Sequence, residues 1–275
     1  MSWHEYLEHE IDADRQAAGG KTVLYLEGKT DLPMLFSLLG VTIRSDEVHE
    51  GVLAKALTDS RGGGSTDVKQ RLTISQRLGF KNFVGIVDGD GEPFDRLRES
   101  FDGVGPLFRW PSYCIENLLA IAGWPSGWGN GPPDWSAVLH EYAPLAAQRR
   151  MHTRLEQELR GLSFRRTKNP STGSPAPSAL GIEEDLREDQ ESIRNGVDLC
   201  AVFREEFEVL TSAIERDPRE GHAHINGKWF VTHLAPRLTG RSEEHCRDEW
   251  ASHVTSIGGL SEVKDWWSRI TRRPR

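Results

Sequence analysis

The chain has 275 residues, a formal net charge of −8 and a hydrophobic fraction of 37%. This length allows one large domain or two smaller ones, and the negative charge excludes an unspecific attraction of nucleic acid to the whole surface. An apolar run of the roughly 20 residues that a membrane helix needs is missing, as is a signal-peptide core. The three cysteines have no CxxC spacing, so the sequence predicts reduced thiols in a cytoplasmic protein without a membrane partner.

The first 125 residues alternate between strand-like and helix-like segments. Strands are predicted at 22–27, 41–43, 83–87 and 104–110, and helices at 32–39, 67–78, 94–101 and 115–122. The segment "FVGIV" is apolar throughout, which is typical of a strand that is buried on both faces. This alternation predicts an α/β domain at 1–125, with a Rossmann-like parallel sheet flanked by helices.

The character of the chain changes after "GWPSGWGNGPPDW", an irregular connection rich in Gly, Pro and Trp. Helices are predicted at 138–159, at 183–216 with an interruption at Gly196, and at 228–238, 243–254 and 262–270. Residues 165–181 are rich in Ser, Thr and Pro and predict a mobile loop. The second half is therefore expected to be an α-helical domain at 126–275.

The stretch "VLYLEGKTD" raises the question of an ATP-binding P-loop, because it contains the triplet GKT. A P-loop has the form GxxxxGK[ST], and the triplet occurs twice, at 20–22 and 28–30. The positions five residues before the two glycines are Arg15 and Val23, so neither triplet fits. We therefore exclude a P-loop.

Acidic residues follow three of the predicted strands instead. Ligands of parallel α/β sheets bind at the carboxyl ends of the strands, where these side chains would converge. The candidates for metal ligands are Glu27, Asp31, Asp88, Asp90 and Glu116. Oxygen-only ligands favour Mg²⁺ or Mn²⁺. The alternatives are a simple turn at "DGDG" and first-turn helix acids at Asp31 and Glu116.

"LYLEGKTD" and "GIVDGDGEP" together resemble the Toprim signature, a Glu-Gly-x-x-Asp motif at the first strand and an Asp-x-Asp motif at the third. Toprim is the metal-binding fold of topoisomerases, bacterial primases and OLD-family nucleases. "SYCIENLL" and "INGKWFVTHL" are similar to segments of stand-alone OLD-like Toprim proteins, including the nuclease effectors of PARIS-type anti-phage systems. The core resemblance covers residues 20–122.

This resemblance implies a Mg²⁺-dependent nuclease that acts on RNA, such as tRNA, or on DNA, in phage defence and under the control of an ATPase partner. It assigns acid/base catalysis to Glu27 and metal binding to Asp88 and Asp90. Lys228, in "INGKW", matches a lysine that lies beside the metals. One alternative is a catalytically silent regulatory module bound to the ATPase. Another is a primase- or topoisomerase-like enzyme, although a topoisomerase needs a nucleophilic tyrosine in a large separate domain.

Basic residues at helical spacing in the second half predict a strip that contacts phosphates, with Arg149, Arg150 and Arg154 as candidates for nucleic-acid binding. The alternative is a solvated helix face paired with Glu156 and Glu158. The ten histidines show no zinc spacing and are expected to be solvated or hydrogen-bonded. A homodimer is left open.

Overall fold

The structure is a computed structural model that describes residues 2–42, 48–57, 64–129, 131–158, 175–192 and 197–272. The backbone alone is described for 157, 158, 191 and 192. The predicted interruption at Gly196 and residues 165–174 of the predicted mobile loop at 165–181 lie outside the described residues, and both stay predictions. Residues 179–181 are helical, so the loop prediction is wrong there.

A five-stranded sheet in the order β2-β3-β1-β4-β5 forms the centre of the α/β part. Its strands are β1 (Thr22–Leu26), β2 (Val48–His49), β3 (Val52–Ala56), β4 (Phe83–Val87) and β5 (Leu107–Arg109). β3, β1, β4 and β5 run parallel, whereas the edge strand β2 is antiparallel to β3. The sheet is therefore mixed, and the expectation of a purely parallel sheet is corrected at this edge.

The second predicted strand, at 41–43, is wrong for Val41 and Thr42, which lie outside any strand. The N–H of Val41 donates to the carbonyl of Phe36 at 2.9 Å and so closes the preceding helix. The neighbour of β1 on the side away from β4 is β3, which forms a hairpin with β2. Glu50 and Gly51 join the hairpin at φ 46° and 84°. Two positive φ angles are the signature of a type I′ turn, and Glu is an uncommon residue there.

The helices of the first half are α1 (Trp3–Ala18), α2 (Asp31–Leu38), α3 (Ser65–Arg77), α4 (Phe94–Asp102) and α5 (Ile115–Ala122). The last four agree with the predicted helices to within two residues. α1 was not predicted. It begins with a capping box in which Ser2 and Glu5 exchange hydrogen bonds, and it buries Leu7 and Ile11.

The helices of the second half are α6 (Trp135–Glu158), α7 (Ala179–Ser192), α8 (Leu199–Arg216), α9 (Pro218–His224), α10 (Ala235–Thr239), α11 (Glu243–Ser256) and α12 (Ser261–Thr271). The helix predicted at 183–216 corresponds to α7 and α8. The helix predicted at 228–238 contains a π-helical turn at Phe230–Leu234 that leads into α10. In the part of the chain that the structure describes, no helix combines the length and the apolar character that crossing a membrane requires.

Alternate residues of β1 face two different layers of the core. Val23 and Tyr25 pack against α1 and α3, whereas Leu24 and Leu26 belong to the larger cluster on the other face. All five residues of β1 and of β4 are buried, which confirms the prediction for "FVGIV". The covered faces leave the ends of these strands as the place where polar side chains can gather.

The second half of the chain packs directly on the sheet layer. Trp266 stacks on Phe101, with ring centroids 5.7 Å apart and an interplanar angle of 18°, and its edge meets Phe108. Trp266 and Trp267 are thus buried, at 0% and 1% exposure, and belong to the core. The division into domains at residue 125 stays a prediction.

Candidate active site

Glu27 and Asp88 follow the neighbouring parallel strands β1 and β4, and they contact each other. The Asp88 backbone N–H donates to Glu27 Oε1 at 2.8 Å. Burial raises the pKa of Glu27, an effect that this hydrogen bond opposes. Burial also raises the pKa of Asp88 well above its usual range, and the negative charges of Glu27, Asp31 and Glu116 act in the same direction. The two acids are therefore held together at an electrostatic cost.

Asp31 is the first residue of α2 and turns back towards the β1 end. Its Oδ2 accepts a hydrogen bond from the Gly28 N–H at 3.1 Å. Burial, with the nearby Glu116 charge as the next cause, raises the pKa of Asp31 to about 6. Asp31 thus lies in the first turn of a helix, as one of the two interpretations predicted. Its carboxylate also belongs to the acidic group.

Glu116 lies in the first turn of α5 and is 3% exposed. Among the described residues, its buried Oε2 has no hydrogen-bond partner. A buried carboxylate oxygen without a donor is costly, so a cation bound beside such an atom would be stabilising. Among the described residues, the burial of Glu116 Oε2 is therefore not offset by any hydrogen bond.

Asp90 adopts a left-handed backbone conformation with φ 50°, which Asp tolerates better than most residues. Its N–H and that of Gly89 both donate to the Tyr113 carbonyl, at 3.1 and 2.8 Å. A Cβ at Gly89 would lie 2.3 Å from the carbonyl oxygen of Ser112, so this turn requires glycine. Asp90 is exposed, and its charge acts on Glu27. It forms the outer edge of the acidic group.

Lys228 brings a positive charge to the same place. Its Nζ lies 3.3 Å from Asp88 Oδ2, and 51% of its side chain is exposed. Burial lowers the pKa of Lys228, but Asp88 and Glu116 outweigh this effect and raise it overall. The predicted proximity of Lys228 to the acidic residues is thus observed. Its catalytic role stays a prediction.

Asn117 fixes the turn that carries Lys228, and the sequence analysis missed it. Its Oδ1 accepts hydrogen bonds from the N–H groups of Cys114 and Gly227, both at 3.1 Å. Its Nδ2 donates to the Ile225 carbonyl at 3.0 Å and to His222 Nδ1 at 3.2 Å. Its position directly after Glu116 in "SYCIENLL" was the available signal. One buried amide thus joins the helix of Glu116 to the turn before Lys228.

We use the name acidic rim for Glu27, Asp31, Asp88, Asp90 and Glu116. Within the described residues, no three His, Cys, Asp or Glu side chains already stand in a geometry that would hold a metal ion. The chemistry of the donor atoms still indicates which cation would suit the acidic rim. Oxygen donors alone and the unpartnered Oε2 of Glu116 suit a hard divalent cation such as Mg²⁺ or Mn²⁺.

The predicted basic strip lies on α6 and faces a pocket that Asp90 also lines. Arg150 Nε donates to Glu206 Oε2 at 2.7 Å, and Arg154 Nη1 donates to Glu205 Oε2 at 2.9 Å. Arg149 lies over the Trp229 ring, with its guanidinium carbon 4.8 Å from the centroid. The structure thus brings Arg149, Arg150 and Arg154 close to the acidic rim. Glu205 and Glu206, which pair with Arg150 and Arg154, lie on α8. The side chain of Glu158 lies outside the described residues.

Two of the histidines, His222 and His224, are hydrogen-bonded, as expected. His222 Nδ1 meets Asn117, and His224 Nδ1 accepts from Arg150 Nη1 at 3.1 Å. Burial lowers the pKa of each to about 4, and so both are neutral at physiological pH. They are parts of the scaffold around the acidic rim.

Comparison of the chain with protein-family models and with curated protein sequences gives no match, so its resemblance to Toprim proteins depends on its own residues.

Proposed function

We propose that the protein is a Mg²⁺- or Mn²⁺-dependent nuclease with a Toprim-like site at the acidic rim. The observation that carries this proposal is the buried, unpartnered Oε2 of Glu116 within a group of carboxylates whose neighbours have raised pKa values. Such a group is expected where a cation is to be bound, and the resemblance of "LYLEGKTD" and "GIVDGDGEP" to Toprim motifs points to phosphodiester chemistry.

The candidate metal ligands are the five residues of the acidic rim. Mg²⁺, when bound, supplies positive charge that stabilises the transition state of phosphodiester hydrolysis and promotes ionisation of the attacking water. Glu27 has a raised pKa and accepts the proton of that water. Lys228 lies beside Asp88 and offsets the charge that develops on the non-bridging oxygens of the phosphate.

The test is to incubate purified protein with tRNA, total RNA and plasmid DNA, with Mg²⁺ and with EDTA. Cleavage of one of these substrates that requires the metal and is lost in Glu27→Gln supports the proposal. Equal cleavage by wild type and Glu27→Gln contradicts it. The pattern of cut substrates decides between RNA and DNA.

The biological setting is part of the same proposal. A toxic nuclease effector of anti-phage defence in the cytoplasm needs an inhibitor, and an ATPase partner would supply it. Co-purification of the protein with the product of an adjacent ATPase gene tests the partner. The molar mass of the protein alone tests the alternative of a homodimer.

A catalytically silent regulatory module is the second candidate. The Lys228 ammonium on Asp88 favours it, because a lysine can neutralise part of an acidic group without a metal. A melting temperature that is unaffected by millimolar Mg²⁺ and Mn²⁺, together with no cleavage, would favour this candidate.

A further inference from the structure

A pocket of about 260 Å³ lies between the acidic rim and α6. Asp90, Tyr113, Arg149, Arg150 and Arg154 are among the residues that line it. Its volume lies just below the roughly 300–1,000 Å³ range of ligand pockets. It has room for one nucleotide-sized group and cannot admit a double helix.

One wall of the pocket is a flat stack of side chains. Trp229 lies nearly parallel to Tyr142 on its buried side, with an interplanar angle of 18° and centroids 5.8 Å apart. The guanidinium of Arg149 lies over Trp229. Arg149 also interacts with Tyr113, whose pKa is raised by burial and lowered in part by this arginine. Unpaired bases stack on such guanidinium planes and on aromatic rings.

The guanidinium group of Arg150 is positioned by neighbouring side chains. Arg150 uses Nε for Glu206 and Nη1 for His224. Because an arginine donates through five N–H groups, a guanidinium fixed in this way can still donate to a phosphate. His224 is neutral, since burial lowers its pKa to about 4, so the pocket wall carries three guanidinium groups against the carboxylates of Asp90 and Glu206.

We propose that this pocket binds one unpaired nucleotide of the substrate, next to the phosphate that lies at the acidic rim. Its base stacks on Arg149, and its phosphate is contacted by Arg150 or Arg154. The proposal rests on the proposed nuclease function and narrows it, because it makes a single-stranded or looped nucleic acid the substrate. Asp90 belongs to both the rim and the pocket, so the bound nucleotide adjoins the scissile bond.

The test measures binding and cleavage separately. Fluorescence anisotropy is recorded with a labelled short single strand and with the same strand in a duplex, in Mg²⁺, on protein that carries Glu27→Gln to suppress cleavage. We expect the single strand to bind at least about tenfold more tightly than the duplex. Arg149→Lys keeps the charge but removes the planar group, and it is expected to lower single-strand affinity by about tenfold. Arg187→Lys, on the exposed surface of α7, is the matched control.

Equal affinity for both probes, or an unchanged affinity in Arg149→Lys, overturns the proposal. If Arg149→Lys lowers the melting temperature, Thr153→Gln decides, because it enlarges an exposed side chain of the pocket wall and leaves Arg149 in place. A weaker single-strand affinity in that variant supports the pocket, and an unchanged affinity overturns it. Wild-type cleavage of the same probes separates the two proposals. Single-strand preference without cleavage of these probes, of tRNA, of total RNA or of plasmid DNA refutes the nuclease and retains the pocket. Cleavage without the single-strand preference retains the nuclease and overturns the pocket.

Discussion

The ammonium group of Lys228 lies 3.3 Å from Oδ2 of Asp88, although 140 positions separate the two residues in the chain. Asp88 follows the central strand β4, and Lys228 follows the turn that Asn117 holds. The contact therefore connects the α/β part to the helical part at the acidic rim. It places the positive charge of Lys228 beside a carboxylate that burial otherwise penalises.

Lys228→Met is expected to reduce the cleavage rate by about 100-fold, the effect of removing one preorganised group that stabilises charge in the transition state. The loss of its charge also leaves Asp88 without compensation, so we expect a lower melting temperature in EDTA and a larger stabilisation by Mg²⁺. Cleavage assays and thermal melts measure the two effects. A rate within threefold of wild type would exclude Lys228 from catalysis.

Glu27→Gln is expected to abolish cleavage and to preserve the fold. The amide oxygen can still accept the N–H of Asp88, while the proton acceptor and one negative charge are lost. Because like charges at the rim repel one another, the melting temperature in EDTA should rise. Activity is measured on the substrate that wild type cuts, with circular dichroism as the check on folding.

Glu116→Gln is expected to weaken binding of Mg²⁺, since it removes the charge of the carboxylate whose Oε2 has no partner among the described residues. The measurement is the rise in melting temperature with increasing Mg²⁺, which reports binding to the folded state. Asp88→Asn and Asp90→Asn should act in the same direction. Glu262→Gln, in α12 and bonded to Arg98, is the control that should leave the Mg²⁺ response unchanged.

The sequence predicted well the features that depend on neighbouring residues. In β1 and in β4, the apolar run and the acids that follow it lie within one short segment of sequence. The strand ends and the acidic rim could therefore be predicted. The hairpin of β2 and β3 could not, because Glu50 in a left-handed conformation gives no turn signal. The pairing of Arg150 with Glu206 depends on α6 packing against α8, whereas the sequence offered only acids on the same helix.

The pH dependence of the free energy of unfolding should reveal the cost of burying the charged carboxylate of Asp31. Burial raises its folded-state pKa to about 6 from an ordinary value of 3.8. Between these values the folded protein retains a proton that the unfolded chain has released, so this carboxyl favours folding at low pH and the advantage is lost as the pH rises through 6. At pH 7 the charged form then costs up to roughly 3 kcal/mol.

Asp31→Asn should therefore raise the melting temperature in EDTA at pH 7, and the gain should shrink as the pH falls towards 4. Thermal melts of wild type and variant across this range measure it. Asp12→Asn is the control of opposite sign, because hydrogen bonding by Arg15 lowers the pKa of the exposed Asp12. A gain that is independent of pH would mean that charge burial at Asp31 is not its cause.

The last prediction concerns Asn117, which acts on the site through the turn before Lys228. A Cβ at Gly227 would lie 2.5 Å from the backbone nitrogen of Asn117, so the turn and the first turn of α5 are in tight contact. Asn117→Ala removes five side-chain hydrogen bonds, two with Cys114 and one each with Gly227, Ile225 and His222. At about 1 kcal/mol net for each bond, the free energy of unfolding should fall by several kcal/mol.

The same variant separates positioning from simple loss of stability. If Asn117 holds Lys228 against Asp88, cleavage measured well below the melting temperature should fall at saturating substrate, with a smaller change in KM. Ile225→Ala, a buried residue of the same region, is the matched control for lost stability alone. Equal cleavage rates for the two variants would show that Asn117 supports the fold and not the position of Lys228. A selective loss in Asn117→Ala would show that the contact between Lys228 and Asp88 depends on this buried amide.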